Sequence, residues 1–184
     1  QNKRIAIFIE NLYQEMEAWY PYYRFKEEGA EVFFVGPEKG KQYESKHGYP
    51  AVSEIGSDDI KMEDFDAVVV AGGYAPDYMR RNLKMVQFIK DMAQNGKTVA
   101  AICHAGWMLT SADIIQGKKV TSTSSIQDDM KHAGGEWVDE EVVHEETGYI
   151  YDTYQNKKEI VDKIVELLKN PDFAKEVGQK ARKR

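Results

Sequence analysis

The stretch Val99-Ala100-Ala101-Ile102-Cys103-His104-Ala105-Gly106-Trp107-Met108-Leu109 decides how this chain is read. Its short apolar opening is the pattern of a fully buried strand. The chain's only cysteine follows, then a histidine, then two small residues. Trp107, Met108, Leu109 and Ala112 begin a helix. A strand that turns sharply into a helix presents one side chain at the bend. It aims free backbone N–H groups and the positive helix end at that side chain. A thiol there loses its proton more easily, which makes Cys103 a candidate nucleophile. The alternative is a buried structural cysteine, the commoner fate of a free thiol.

Two further buried strands flank this one in the pattern. Phe65–Ala71 is apolar and β-branched and runs into Gly72-Gly73, which lets the backbone turn sharply or approach a ligand. Ile5–Ile9 opens the chain and ends at Glu10-Asn11. Between it and the strand Glu31–Val35 lies a helical pattern with Met16, Trp19, Tyr20 and Tyr23 on one face, closed by Gly29. Pro21 marks its first turn or kinks it. Gly36–Ser57 is turn-rich, with short strands or a hairpin expected around Tyr43–Val52. A helix is expected over Asp77–Gln94, then the strand Lys97–Ile102. Further on come a strand at Val120–Ser122, a helix over Ile126–Ala133, and strands over Trp137–Glu145 and Tyr149–Thr153. An amphipathic helix over Lys157–Lys169 and a last polar helix over Asp172–Arg184 complete the pattern. The alternation predicts an α/β three-layer sandwich with a mostly parallel sheet. Residues 1–170 read as one domain and 171–184 as its C-terminal helical extension.

In such sheets the active site lies beyond the carboxyl ends of the strands. Glu15 and Glu17, Gly72-Gly73, and Cys103-His104 all fall there. A cysteine nucleophile needs a thiolate, an oxyanion site and a proton carrier. The N–H groups of Gly73 and His104 are candidates for the oxyanion site. His104, Glu17 and Asp77 are candidates for the proton. Each has a plainer reading: Glu17 as an acid complementing a helix dipole, His104 as a capping or surface histidine. A carboxylate beside a thiolate is repulsive unless one of them holds a proton. A protonated Glu17 would donate to the Cys103 sulfur and could hold an oxidised form of it. Tyr13 and Trp107 either wall a pocket or fill the core.

Composition narrows the classes. The chain has 184 residues, 42% apolar and 30% charged, with net charge −6. That balance argues against general nucleic-acid binding, and the basic end Lys180–Arg184 reads as a solvated terminus. Five apolar residues, Ile5 to Ile9, are too few for a signal peptide or a membrane span, so no membrane partner is expected. A single cysteine makes no internal disulfide, which fits a reducing cytoplasm. There is no phosphate-loop motif, Gly72-Gly73 alone is no dinucleotide fingerprint, and the other histidines, His47, His132 and His144, show no ligand spacing. No cofactor or metal is expected.

Several stretches together resemble the PfpI-type intracellular protease family, within the superfamily that also holds the parkinsonism-associated deglycase and shares the class I glutamine-amidotransferase-like fold. They are Glu15-Met16-Glu17, Tyr20–Gly29, Lys46-His47-Gly48-Tyr49, Asp66–Gly73 with Ala75-Pro76, Ala101-Ile102-Cys103-His104 and Asp128-Asp129-Met130. The resemblance implies a flavodoxin-like sandwich assembled as homodimers or hexamers. It implies Cys103 as nucleophile with Glu17 hydrogen-bonded to it, and the Gly73 and His104 amides as the oxyanion hole. In the protease-like branch it implies an acid from a neighbouring subunit working with His104, at the position of Asp77, where the family typically carries Glu. The implied activities are peptide hydrolysis and glyoxalase or deglycase chemistry on 2-oxoaldehydes and their protein adducts. The alternative is a redox sensor or stress chaperone that oxidises Cys103 without turnover. Two departures stand out: Ala105-Gly106 where the family often reads Gly-Pro, and Tyr151–Asn156 where it often shows Ser-Arg and a Pro-containing turn.

Overall fold

The strands at the middle of the central sheet, Arg4–Phe8, Ala67–Val70 and Thr98–Ile102, are nearly all apolar because both of their faces are covered. The computed structural model describes residues 3–140, 142–145, 148–151, 162, 165, 166, 169 and 170. In chain order the elements are β1 (Arg4–Phe8), α1 (Glu15–Glu27), β2 (Glu31–Gly36), β3 (Gln42–Glu44), β4 (Pro50–Val52), β5 (Ile55–Gly56), β6 (Ala67–Val70), α2 (Ala75–Met79), α3 (Leu83–Gln94), β7 (Thr98–Ile102), α4 (Gly106–Ser111), β8 (Lys119–Val120), α5 (Gln127–His132), β9 (Glu136–Trp137), β10 (Val142–Glu145) and β11 (Gly148–Tyr151). The main sheet runs β10-β11-β7-β6-β1-β2-β5. Every pairing in it is parallel except β10 with β11. Ile5 lies between Val32 and Ala67 in register, and Ile5 to Ile9 are wholly buried.

Ring contacts fix the layers. Phe33 and Phe34 are adjacent on β2, so they point to opposite faces. Phe34 packs against Trp19 and Tyr22 of α1, with centroids 4.7 and 4.5 Å away. Phe33 meets Phe65, which meets Phe88 of α3, each at 6.0 Å. Helices α1 and α3 therefore cover opposite faces, and the molecule is the three-layer sandwich that the alternation predicts, of the flavodoxin-like form that the resemblance implies. The chain steps from β1 outward to β2, then returns to place β6 on β1's other side. That reversal opens a crevice at the carboxyl ends of β1 and β6.

Several expectations are corrected. The inward face of α1 is only in part the expected Met16, Trp19, Tyr20 and Tyr23: Trp19 and Tyr20 pack half-buried against the core. Glu17, Ala18, Pro21 and Phe25 are buried, while Met16 and Tyr23 are 45% and 56% exposed. Large aromatics drew the expected stripe to one flank of the buried face, whose centre carries an acid, an alanine and a proline. Pro21 lies inside the helix, past its first turn. Gly29, at φ 82°, does close it: Ala30 N–H donates to Phe25 O and Gly29 N–H to Lys26 O.

The single helix expected over Asp77–Gln94 is two, because Asn82 breaks it. The Asn82 side-chain oxygen accepts from the N–H groups of Lys84 and Met85 at 3.0 and 3.3 Å and so starts α3 anew. The expected strand Trp137–Glu145 is likewise two, with β9 paired to β8 in a separate small sheet and β10 at the edge of the main one. The hairpin stands as β3–β4. Of the amphipathic helix expected over Lys157–Lys169, residues 162, 165, 166 and 169 are described and helical, with Val165 in the core. The expected extension 171–184 and most of Tyr151–Asn156 lie outside the described residues. Among the described residues, no helix is long and apolar enough to cross a membrane.

Candidate active site

β7 ends at Ile102, and the next residue, Cys103, takes φ 61°. This left-handed conformation is rare outside glycine and costs a side chain about 1–3 kcal/mol. It is the sharp bend that the strand-to-helix pattern calls for. A short 3-10 turn over Cys103–Ala105 leads directly into α4. The first N–H groups of that turn precede any intrahelical hydrogen bond. Cys103 is partly exposed. The alternative of a thiol sealed in apolar packing is thus not what the fold presents.

β6 runs beside β7 and delivers Gly72-Gly73. Gly72 is where three strands' ends meet. Its N–H donates to Glu17 Oε2 at 2.7 Å. A Cβ at residue 72 would sit 2.6 Å from that same oxygen and 2.7 Å from the Cys103 Cβ. Glu17 and Cys103 therefore close on one glycine from two sides. Glu17 stands in the first turn of α1, where the Gln14 side chain accepts from the Met16 and Glu17 amides at 2.7 and 3.2 Å. It is 6% exposed, far more buried than dipole complementation at a helix surface requires. Gly73, at φ 76°, is pinned against the loop after β1: Tyr74 N–H donates to Leu12 O and Gln14 N–H to Gly72 O. The Gly73 N–H has no acceptor among the described residues.

His104 lies with its ring between two partners. Nδ1 is 3.2 Å from Cys103 Sγ, and Nε2 is 3.0 Å from Ser125 Oγ. Burial holds the imidazole below its ordinary pKa of 6.5, and the positive charge of Lys46 lowers it further. The neutral ring at pH 7 can accept a thiol proton. Trp107 stands edge-on to His104 with centroids 5.2 Å apart, and its Nε1 donates to Asp129 Oδ2 at 2.8 Å. Tyr74 meets the other side of Trp107 at 6.2 Å. Trp107 thus walls the site, whereas Tyr13 is wholly buried and belongs to the core, its hydroxyl donating to Tyr49 O at 2.7 Å.

Asp77 stands apart from this cluster within its own chain. It lies in α2, and its carboxylate is ion-paired with Arg81 one turn on. Sequence reasoning did not single out Lys46 or Ser125. Lys46 sits in a loop tied to the site by Glu15, whose carboxylate accepts from the Ser45 hydroxyl and from the His47 N–H at 3.1 Å. Its only signal was membership in the Lys46-His47-Gly48-Tyr49 stretch. Ser125 is 21 residues from His104, in a run of serines and threonines that carries no periodic signal.

A family model described as "DJ-1/PfpI family" matches residues 3–166. The chain belongs to that family. It is 42% identical over 140 residues to a protein named a deglycase from Thermococcus kodakarensis, covering 76% of this chain and 84% of that one. A protein/nucleic acid deglycase of Escherichia coli is 37% identical over 143 residues, covering 77% and 83%. Among solved structures, a two-domain protein from Anabaena variabilis with a DJ-1/ThiJ/PfpI-like and a ferritin-like domain superimposes with a TM-score of 0.88 at 32% identity. That match covers 91% of this chain, which spans 48% of the two-domain protein. Drosophila melanogaster DJ-1beta superimposes at 0.85 with 21% identity over 97% of both chains, a likeness of fold.

Proposed function

We propose that this protein is a cysteine-dependent enzyme in which Cys103 attacks the carbonyl carbon of small 2-oxoaldehydes and of the adducts they form. The observation that carries the reading is the juxtaposition at one bend of a left-handed Cys103, His104 Nδ1 at 3.2 Å and the buried Glu17 closing on the same glycine. The deglycase names of the relatives support the substrate class.

In this mechanism the Cys103 thiol gives its proton to His104 Nδ1, and Sγ bonds to the aldehyde carbon. The carbonyl oxygen becomes an oxyanion within reach of the Gly73 and His104 amides. With a 2-oxoaldehyde, the hydrogen on the former aldehyde carbon then moves as a proton to the neighbouring carbon, carried by Glu17 or His104. A 2-hydroxyacyl thioester results. Water cleaves it to the 2-hydroxy acid and the free thiol, so no outside oxidant or reductant is consumed. Peptide hydrolysis would begin with the same attack, but a strand-end crevice favours small carbonyls over folded proteins. Asp77 from a neighbouring copy is a possible further acid in the assembly, and the reading includes homodimers or hexamers in the cytoplasm. The exposed Met16 and Tyr23 of α1 and the exposed Tyr49, beside a groove of about 500 Å3, support self-association. Sedimentation velocity is expected to show a dimer or larger species.

The test is turnover of methylglyoxal and of fluorogenic peptides by the wild type and by Cys103→Ser. Consumption of methylglyoxal, abolished by the substitution, is the expected result. Peptide cleavage alone would move the protein to the peptidase branch. No turnover, with mild peroxide adding two oxygens to Cys103, would replace the enzyme by the redox sensor.

A further inference from the structure

We propose that Ser125 is the positioning residue for His104, so that the cysteine–histidine pair is oriented by a hydroxyl from its own chain. The inference rests on Cys103 being the nucleophile. It adds what holds the base.

An imidazole that takes a proton on one nitrogen works best when its other nitrogen is held by a third group. Here Nδ1 faces the sulfur, and Nε2 faces Ser125 Oγ at 3.0 Å. A serine hydroxyl accepts as well as donates. With Oγ accepting from Nε2–H, the Nδ1 lone pair is left facing the thiol. After proton transfer both imidazolium N–H groups still have acceptors, the thiolate on one side and Oγ on the other. Among the described residues no carboxylate is hydrogen-bonded to His104, and the Asp77 carboxylate is taken by Arg81. Of the other groups around the ring, Lys46 bears on it through its charge, and Trp107 presents an aromatic edge.

The segment carrying Ser125 is fixed to the nucleophile's own turn. Thr123 N–H donates to Cys103 O at 3.4 Å. Ile126 is 1% exposed, and its Cδ1 comes within 3.0 Å of where a Cβ on Gly106 would lie, with the Met130 sulfur at 2.7 Å from the same point. Gly106 is thus the residue that lets the Ser125 segment and α5 close against the bend. Trp107 Nε1 to Asp129 Oδ2 ties α4 to α5 a second time. Ser125 itself is exposed, so removing its hydroxyl leaves this packing intact.

The experiment measures the rate of Cys103 alkylation by iodoacetamide against pH, with kcat and KM for methylglyoxal, in wild type, Ser125→Ala, Ser125→Thr and Ser124→Ala. Ser125→Ala is expected to lower the neutral-pH alkylation rate and kcat by about three- to tenfold, the worth of one modest hydrogen bond. The limiting rate at high pH and KM should hold, because the thiolate then forms without the base. Ser125→Thr should restore the profile, and Ser124→Ala should leave it unchanged. An unchanged profile in Ser125→Ala overturns the proposal, as does a shift seen with Asp77→Asn and not with Ser125→Ala. Loss of the nucleophile reading itself would look different: wild type would turn over no methylglyoxal, whatever residue 125 is.

Discussion

At residue 72 a single methyl group would meet three atoms at once. Glu17 Oε2, the Cys103 Cβ and Ile102 O lie 2.6, 2.7 and 2.9 Å from the position a Cβ would take. Two of these belong to the proposed chemistry and one to the strand that presents it, so none gives way freely. Gly72→Ala is therefore expected to destabilise the fold by about 1–3 kcal/mol, as overpacking does, and to slow alkylation of Cys103 in the molecules that still fold. Urea unfolding and thiol labelling check the two effects separately. Residue by residue, the sequence was informative where chemistry and backbone demand coincide. Cys103 was visible because a lone thiol followed a buried strand, and Gly72-Gly73 because glycines at a strand end imply close approach. Ser125 and Lys46 were not, because a serine among serines and a surface lysine carry no mark of what lies across space from them.

Among the elements, α1 shows why a periodic pattern alone can mislead. Its strongest apolar stripe is only half-buried, with Met16 and Tyr23 exposed, and the fully buried stripe holds Glu17, Ala18, Pro21 and Phe25. The buried acid at the site is what breaks the hydrophobic pattern: Glu17 occupies a place a core residue would otherwise fill. The break between α2 and α3 was legible only as an asparagine in a helical run. Its side chain caps α3 and also donates to Ser57 Oγ at 2.9 Å. Asn82→Ala removes all three hydrogen bonds and is expected to cost about 1–2 kcal/mol, read as a lower urea midpoint. Since Asn82 is remote from the Cys103 bend, the alkylation rate of the folded protein should not change. A loss of alkylation without a loss of stability would show that the end of α2, tied to α4 through Arg80 and Ser111, transmits to the site.

For the whole molecule, strand order is what brings the chemistry together. β7, β6 and β1 are neighbours in the sheet though far apart in sequence, and their carboxyl ends carry Cys103, Gly72 and the approach to Glu17. The alternation of elements implied a parallel sheet, but only the reversal at β1 places those ends side by side. Stability should fall on acidification in two stages. The folded pKa of His104 lies below its ordinary 6.5, chiefly through burial. The unfolded chain therefore takes up that proton first, and stability present above pH 6.5 is lost as pH falls through the folded value. Glu15 and Asp66 add a second stage. Burial raises each, but the Ser45 hydroxyl and His47 outweigh it for Glu15, and Lys3 with the Arg4 amide for Asp66. Both end below their ordinary 4.5 and 3.8, so their contribution disappears as pH falls through those lower values. Urea midpoints measured across this range should fall in both windows, with the upper stage absent in His104→Asn. The account as a whole depends on one sulfur being reactive at a bend, and its rate of alkylation by iodoacetamide at neutral pH, located by peptide mass, measures that directly. The predicted rate is about tenfold or more above that of free cysteine; a rate equal to or below free cysteine would contradict it.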